Sequence, residues 1–91
     1  MEIKRIGLTR GHMVLETEDG KYAYMLGEMT IDHSFYIYSS DKWYWLKKEP
    51  LNMTIEDELI DNTLSLPEKE DIIKSIFEYN KDHITQIIVV K

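Results

Sequence analysis

Asp19-Gly20 stands between two stretches that alternate apolar and polar residues, HMVLETE at 12 to 18 and KYAYML at 21 to 26. An Asp-Gly pair supplies the positive backbone angles that close a β-hairpin. Alternation with a period of two is the pattern of a strand with one buried face. Residues 3 to 9, IKRIGLT, read as a preceding strand, with Arg10-Gly11 as the turn between. If both turns are two-residue loops, Glu18 opposes Lys21, Leu15 opposes Tyr24 and Met13 opposes Leu26. Leu8 then opposes Met13, and Ile6 opposes Leu15. Opposed residues share a face. The expected core face therefore carries Ile6, Leu8, Met13, Leu15, Tyr24 and Leu26, while Gly7, Val14, Glu16, Ala23 and Met25 point away. A slip of one residue would move a strand's whole set to the opposite face.

Gly27 is expected to bend or bulge the third strand, which resumes through Glu28-Met29-Thr30-Ile31. Asp32-His33-Ser34 reads as a turn and FYIYS, 35 to 39, as a fourth strand. WYWLK at 43 to 47 is extended, with Trp43 and Trp45 on one face and Tyr44 and Leu46 on the other. Pro50 ends regular pairing, and the stretch from 54 to 64 is expected to be mostly irregular. Ser65-x-x-Glu68 is a capping box with Pro67 in the first turn, so a helix begins there. Ile72, Ile73, Ile76 and Phe77 form its buried stripe, with Tyr79 at the edge. ITQIIVV, 84 to 90, is rich in β-branched residues and apolar on both faces, which predicts an interior final strand. The fold class is α+β: a single, mainly antiparallel sheet with one C-terminal helix packed on one face. Ninety-one residues form one domain, 1–91.

Charge is unevenly spread along the chain. Thr54 to Asp71 holds Glu56, Asp57, Glu58, Asp61, Glu68, Glu70 and Asp71 against the single base Lys69. That stretch equals the formal charge of the whole chain, −6, and the remainder sums to zero. Glu68, Glu70 and Asp71 suit the positive end of a helix dipole. Glu56, Asp57, Glu58 and Asp61 have no such local reason. They are either a solvated loop or a surface for a basic partner. Trp43 and Trp45 carry a similar pair of readings, as core filler or as anchors beside that surface. An acidic chain is poorly suited to nucleic acid phosphates. There is no cysteine, which excludes disulfides and cysteine-ligated metals. His12, His33 and His83 are scattered, without metal-ligand spacing. Asp32-His33-Ser34 cannot be a catalytic triad, because adjacent residues do not converge. No cofactor, no membrane segment and no enzymatic activity are expected. MEIKRIGL lacks the apolar run of a secretory signal, which predicts a cytoplasmic protein.

A series of short motifs resembles the immunity protein 74 family of bacterial polymorphic toxin and contact-dependent inhibition systems. In order they are Asp19-Gly20-Lys21, Gly27-Glu28-Met29, Phe35-x-Ile37-Tyr38-Ser39-Ser40, a tryptophan, Pro50, and an acidic helix start followed by Ile72-Ile73. The resemblance spans roughly residues 13 to 80. It departs from the family pattern after Trp45, where Leu46-Lys47-Lys48-Glu49 precedes Pro50 and the link to Pro67 is long. The resemblance implies a small cytoplasmic protein that binds a cognate toxin C-terminal domain and blocks it, without catalytic residues. Glu56, Asp57, Glu58 and Asp61, with Trp43 or Trp45 beside them, are the expected toxin-facing residues; that choice rests on charge and not on the family. The alternative is a small regulatory or structural interaction module without a toxin partner.

Overall fold

The computed structural model describes the whole chain, Met1–Lys91. Seven strands and one α-helix make an α+β fold. The strands are β1 (Ile3–Leu8), β2 (His12–Thr17), β3 (Tyr22–Met29), β4 (Ser34–Tyr38), β5 (Tyr44–Leu46), β6 (Ile60–Thr63) and β7 (Gln86–Val90), and the helix is α1 (Leu66–Asn80). Five strands run in the order β1-β2-β3-β4-β7, and β5 branches from β3 to carry β6. All pairings are antiparallel except β4 with β7. No helix is long and apolar enough to cross a membrane.

The first turn has the expected register. Leu8 pairs with Met13 and Ile6 with Leu15, around a two-residue Arg10-Gly11 loop. The second turn differs by one residue. Leu15 pairs with Ala23 and Met13 with Met25, because the loop holds Glu18, Asp19 and Gly20. Gly20 N–H donates to Thr17 C=O at 3.0 Å, Thr17 N–H donates to Lys21 C=O at 2.9 Å, and Gly20 takes φ 86°. This is a three-residue loop, a tight turn followed by a left-handed glycine. Thr17 secures it: its hydroxyl donates to the Asp19 carboxylate and accepts from Lys21 N–H at 3.0 Å. The slip exchanges the faces of β3. Ala23 and Met25 are fully buried, Tyr24 lies on the opposite face, and Leu26 is 54% exposed. The Thr30–Ser34 turn repeats the arrangement, with Thr30 donating to Asp32 and His33 at φ 66° in the place of glycine.

β3 changes partner along its length. Its first half, Tyr22 to Tyr24, pairs with β5, and its second half, Gly27 to Met29, pairs with β4. Gly27 sits where the branches part, inside a continuous strand and not at a bulge. A Cβ added there would come within 2.4 Å of both the Phe35 ring and the Tyr36 carbonyl oxygen. Glycine is required here for close approach and not for its φ. Gly27→Ala should destabilise by about 1–3 kcal/mol through overpacking, read as a lower denaturant midpoint with unchanged slope. An unchanged midpoint would show that β4 can move away at no cost.

The sheet is covered on both faces. On one, Met13, Leu15, Ala23, Met25, Phe35, Ile37 and Trp43 pack against Leu64, Ile72, Ile73, Ile76 and Ile87. α1 starts as the sequence predicts: Ser65 Oγ accepts from Glu68 N–H, and Glu68 Oε1 accepts from Ser65 N–H at 2.8 Å. Its buried stripe is narrower than expected, since Phe77 is 54% exposed. On the other face Val14, Leu46 and Leu59 form a smaller cluster with Tyr22, Tyr24, Met53, Ile55 and Ile60. The segment from 47 to 60 lies over that face as a strap.

Two further expectations are corrected. β7 is an edge strand and not an interior one: it pairs with β4 alone, in parallel, and no strand pairs with its other side. The acidic stretch is not all irregular. A 3₁₀ turn at Asp57–Leu59 leads into β6, which pairs with β5.

Candidate functional site

The strap leaves β5 at Lys47, whose N–H donates to Leu59 C=O at 2.8 Å, and runs on through Pro50, where no N–H is available for pairing. Leu51 to Thr54 make a turn with Asn52 and Met53 in the left-handed region, φ 53° and 61°, closed by Thr54 N–H donating to Leu51 C=O at 3.0 Å. A methionine at positive φ is strained, and its surroundings hold it there. The His12 ring donates from Nε2 to the Met53 carbonyl at 2.9 Å, and the Met53 thioether lies over Gly7, where a Cβ would sit 2.8 Å from the sulfur. This anchorage places Glu56, Asp57 and Glu58 on the solvent side of the strap, all exposed.

Glu56 and Glu58 are brought together. A proton on Glu56 can bridge to Glu58, and that hydrogen bond, with the repulsion of the second charge, pushes Glu56 above the usual carboxylate range. The same hydrogen bond pulls Glu58 below it. Two like charges at one site disfavour each other until one holds a proton or a cation arrives. Lys47 and Lys48 share the hollow of about 770 Å³ that Glu49, Glu56 and Glu58 line. The patch is therefore less negative in space than in the linear sequence. Asp57 is exposed beside it.

Asp61 lies apart from those three, on β6. With Trp45, Lys21, Lys47 and Glu68 it lines a separate hollow of about 380 Å³. Trp45 is half-buried, its Nε1 donates to Glu68 Oε2 at 3.1 Å, and Lys21 Nζ sits 5.4 Å above its ring. Trp43 has no accessible surface at all. Of the six expected contact residues it is the one removed from the surface, as the core-filling reading had it. Glu68 belongs to the helix cap, and Ser65 N–H is the main reason its carboxyl is held below the usual range.

One polar cluster escapes the sequence reading. Glu16 is only 7% exposed on the strap side of β2. Arg5 Nε lies 2.6 Å from its Oε1 as an ion pair, though no N–H points straight enough at that oxygen for a hydrogen bond. Arg5 also reaches Glu49 at 3.4 Å, and Tyr22 donates to Glu16 Oε2 at 3.3 Å. Together with Asn52 and Met53 they border a hollow of about 300 Å³. A buried charge on an alternating strand looks in sequence like any solvent-facing residue, so only the strap above it reveals the burial. No group of three or more acidic, histidine or cysteine side chains is arranged to hold a metal.

Comparison with family models, with curated proteins and with solved structures returns no match.

Proposed function

We propose that this chain is a protein-binding module that neutralises the C-terminal domain of a cognate bacterial toxin, in the manner of the immunity proteins its sequence resembles. The observation that carries the reading is the exposure of Glu56, Asp57 and Glu58 side by side on the strap, with Glu56 and Glu58 lining one hollow. Carboxylates that share one exposed hollow repel each other in the free protein, and a basic group from a partner would relieve that repulsion. Asp57 extends the surface, and Asp61 with the exposed part of Trp45 forms its second patch. A basic toxin domain, such as a nuclease, suits such a surface. A long-range charge field of this kind speeds encounter more than it tightens the final complex.

A second reading is favoured by Lys47 and Lys48, which already answer part of the acidic charge. On that reading the strap is a solvated cover for a regulatory or structural module without a toxin partner. The two are separated by searching the neighbouring genes for a toxin and measuring the kinetics of binding to its C-terminal domain. Glu56→Lys, Glu58→Lys and Asp61→Lys, each confirmed as folded, should slow association at low salt, and the difference should fade at about 0.15 M salt and above. Truncating a carboxylate that becomes buried and paired in the complex should cost about 2–5 kcal/mol in affinity. Unchanged on-rates and salt slopes in all three variants would move the interface off the acidic strap. Absence of any complex with that domain would remove the toxin reading itself.

A further inference from the structure

We infer that the Asn80 carboxamide is an edge guard, which stops a second copy of this chain from adding to the sheet at β7. Strand edges present unpaired backbone groups, and proteins blunt them with charge, proline, bulges or short length. β1 ends the sheet on one side with Lys4 and Arg5 and a register irregularity between Ile3 and Arg5. β6 ends the branch with four residues, among them Asp61. β7 has none of these devices. Its sequence is Gln86-Ile87-Ile88-Val89-Val90, uncharged, free of proline and in unbroken register with β4.

Ser39 N–H donates to Val90 C=O, so Val90, Ile88 and Gln86 turn their bonding groups toward β4, and Ile87 and Val89 turn theirs outward. Asn80 occupies the first outward position from both sides. Ile87 N–H donates to Asn80 Oδ1 at 2.9 Å, and Asn80 Nδ2 donates to Ile87 C=O at 2.8 Å. The side chain thus makes the two bonds that a neighbouring strand would make. Gln86 fixes the turn that brings the end of α1 there, donating from Nε2 to Asn80 C=O at 3.0 Å and to His83 C=O at 2.8 Å.

The excluded occupant is a second copy. Two β7 strands would pair antiparallel about a two-fold axis, each offering the same apolar, uncharged surface to the other. Centring that axis on Ile88 sets Ile87 opposite Val89 in both directions, so every inter-chain bond uses an Ile87 group. With Asn80 in place, Val89 is the only outward residue of β7 left to pair, too short a contact to hold two chains.

The test compares mass in solution, by sedimentation over a concentration series, for the wild type, Asn80→Ala and Asn80→Ala/Val89→Pro, with circular dichroism to confirm folding. Val89 turns its N–H away from β4, so proline there breaks no pairing within the sheet. The wild type should keep one mass. Asn80→Ala should self-associate about tenfold or more strongly, as an unmet backbone pair seeks partners, and the added proline should reverse this. A folded Asn80→Ala with wild-type mass overturns the inference. So does assembly that survives the proline, or a wild type that already pairs through β7. Amide exchange in the wild type gives an independent reading: Ile87 N–H should be protected while Val89 N–H exchanges freely, and equal rates would also overturn it. Should Asn80→Ala fail to fold, Asn80→Ser, which cannot span the gap, is judged by the same masses.

Discussion

Replacing Trp43 with alanine should cost about 3–5 kcal/mol of stability, the range for deleting a buried aromatic. The side chain is fully buried in the main core. Its Nε1 donates to Tyr38 C=O at 3.0 Å, and its own carbonyl accepts from Leu64 N–H at 2.7 Å. Lys69 Nζ lies 5.2 Å above the ring and donates to the carbonyls of Ser39 and Asp41. The indole therefore fills the space between sheet and helix and also fixes the loop from 38 to 43. Alanine would leave a cavity and remove one of the two donors to the Tyr38 carbonyl, which keeps Asp41 N–H at 3.1 Å. Trp43→Phe isolates the second effect, since it keeps most of the volume and loses only the donor, at about 0.5–1.5 kcal/mol. Urea unfolding of both variants checks the pair. A loss below about 1 kcal/mol for the alanine variant would mean the site collapses freely, contrary to the packing described.

Ile76→Ala should cost about 2–5 kcal/mol, whereas Phe77→Ala should fall within about 0.5 kcal/mol of wild type. The two residues are adjacent, and phenylalanine is the larger. Ile76 is fully buried among Ile72, Ile73 and the sheet, while Phe77 is 54% exposed. Adjacent helical residues point about 100° apart, so only one of them can lie at the centre of a narrow contact. Equal losses from both variants would place the helix in a different rotation from the one described.

That contrast also marks how far the sequence reaches. The capping box at Ser65 and Glu68 is local chemistry, and it locates the helix start without knowledge of the rest. The period of the apolar residues identifies which helix face is buried, but not how wide the contact is. That width depends on how the sheet curls beneath it, and so the periodicity alone counts Phe77 as core. The hairpin at Asp19-Gly20 fails in a more instructive way. Aspartate and glycine serve two-residue and three-residue loops alike, because both place a glycine at positive φ. The deciding residue is Thr17, whose hydroxyl joins Asp19 to Lys21 N–H. The Thr-x-Asp spacing recurs at Thr30 and Asp32, so a legible signal was present and pointed to the longer loop. The one-residue difference exchanges the faces of Tyr24 and Leu26 and leaves β1 and β2 as the alternation predicts.

The candidate site was less legible than the fold. The acidic residues were visible as a run, and those at 56 to 58 are exposed as a surface requires. Proximity in space was not visible. Lys47 and Lys48 come from the end of β5 to face Glu56 and Glu58, while Asp61 separates onto a strand. Glu16 gave no sign of burial, because the strap that covers it arrives from more than thirty residues away along the chain.

The parallel pairing of β4 with β7 has a consequence for how quickly the native state is reached. Gln86 must find Ser34, and Val90 must find Tyr38, across more than half of the chain. β1, β2 and β3 need only short turns and can zip from their loops on the microsecond scale of hairpins. Joining β7 to β4 instead closes a long loop, and its entropic cost falls due before the new contacts compensate. The meander should therefore assemble early and the β4–β7 ladder late. On that order, substitutions in β7 accelerate unfolding and leave the folding rate almost untouched, while those around Leu15 slow folding itself.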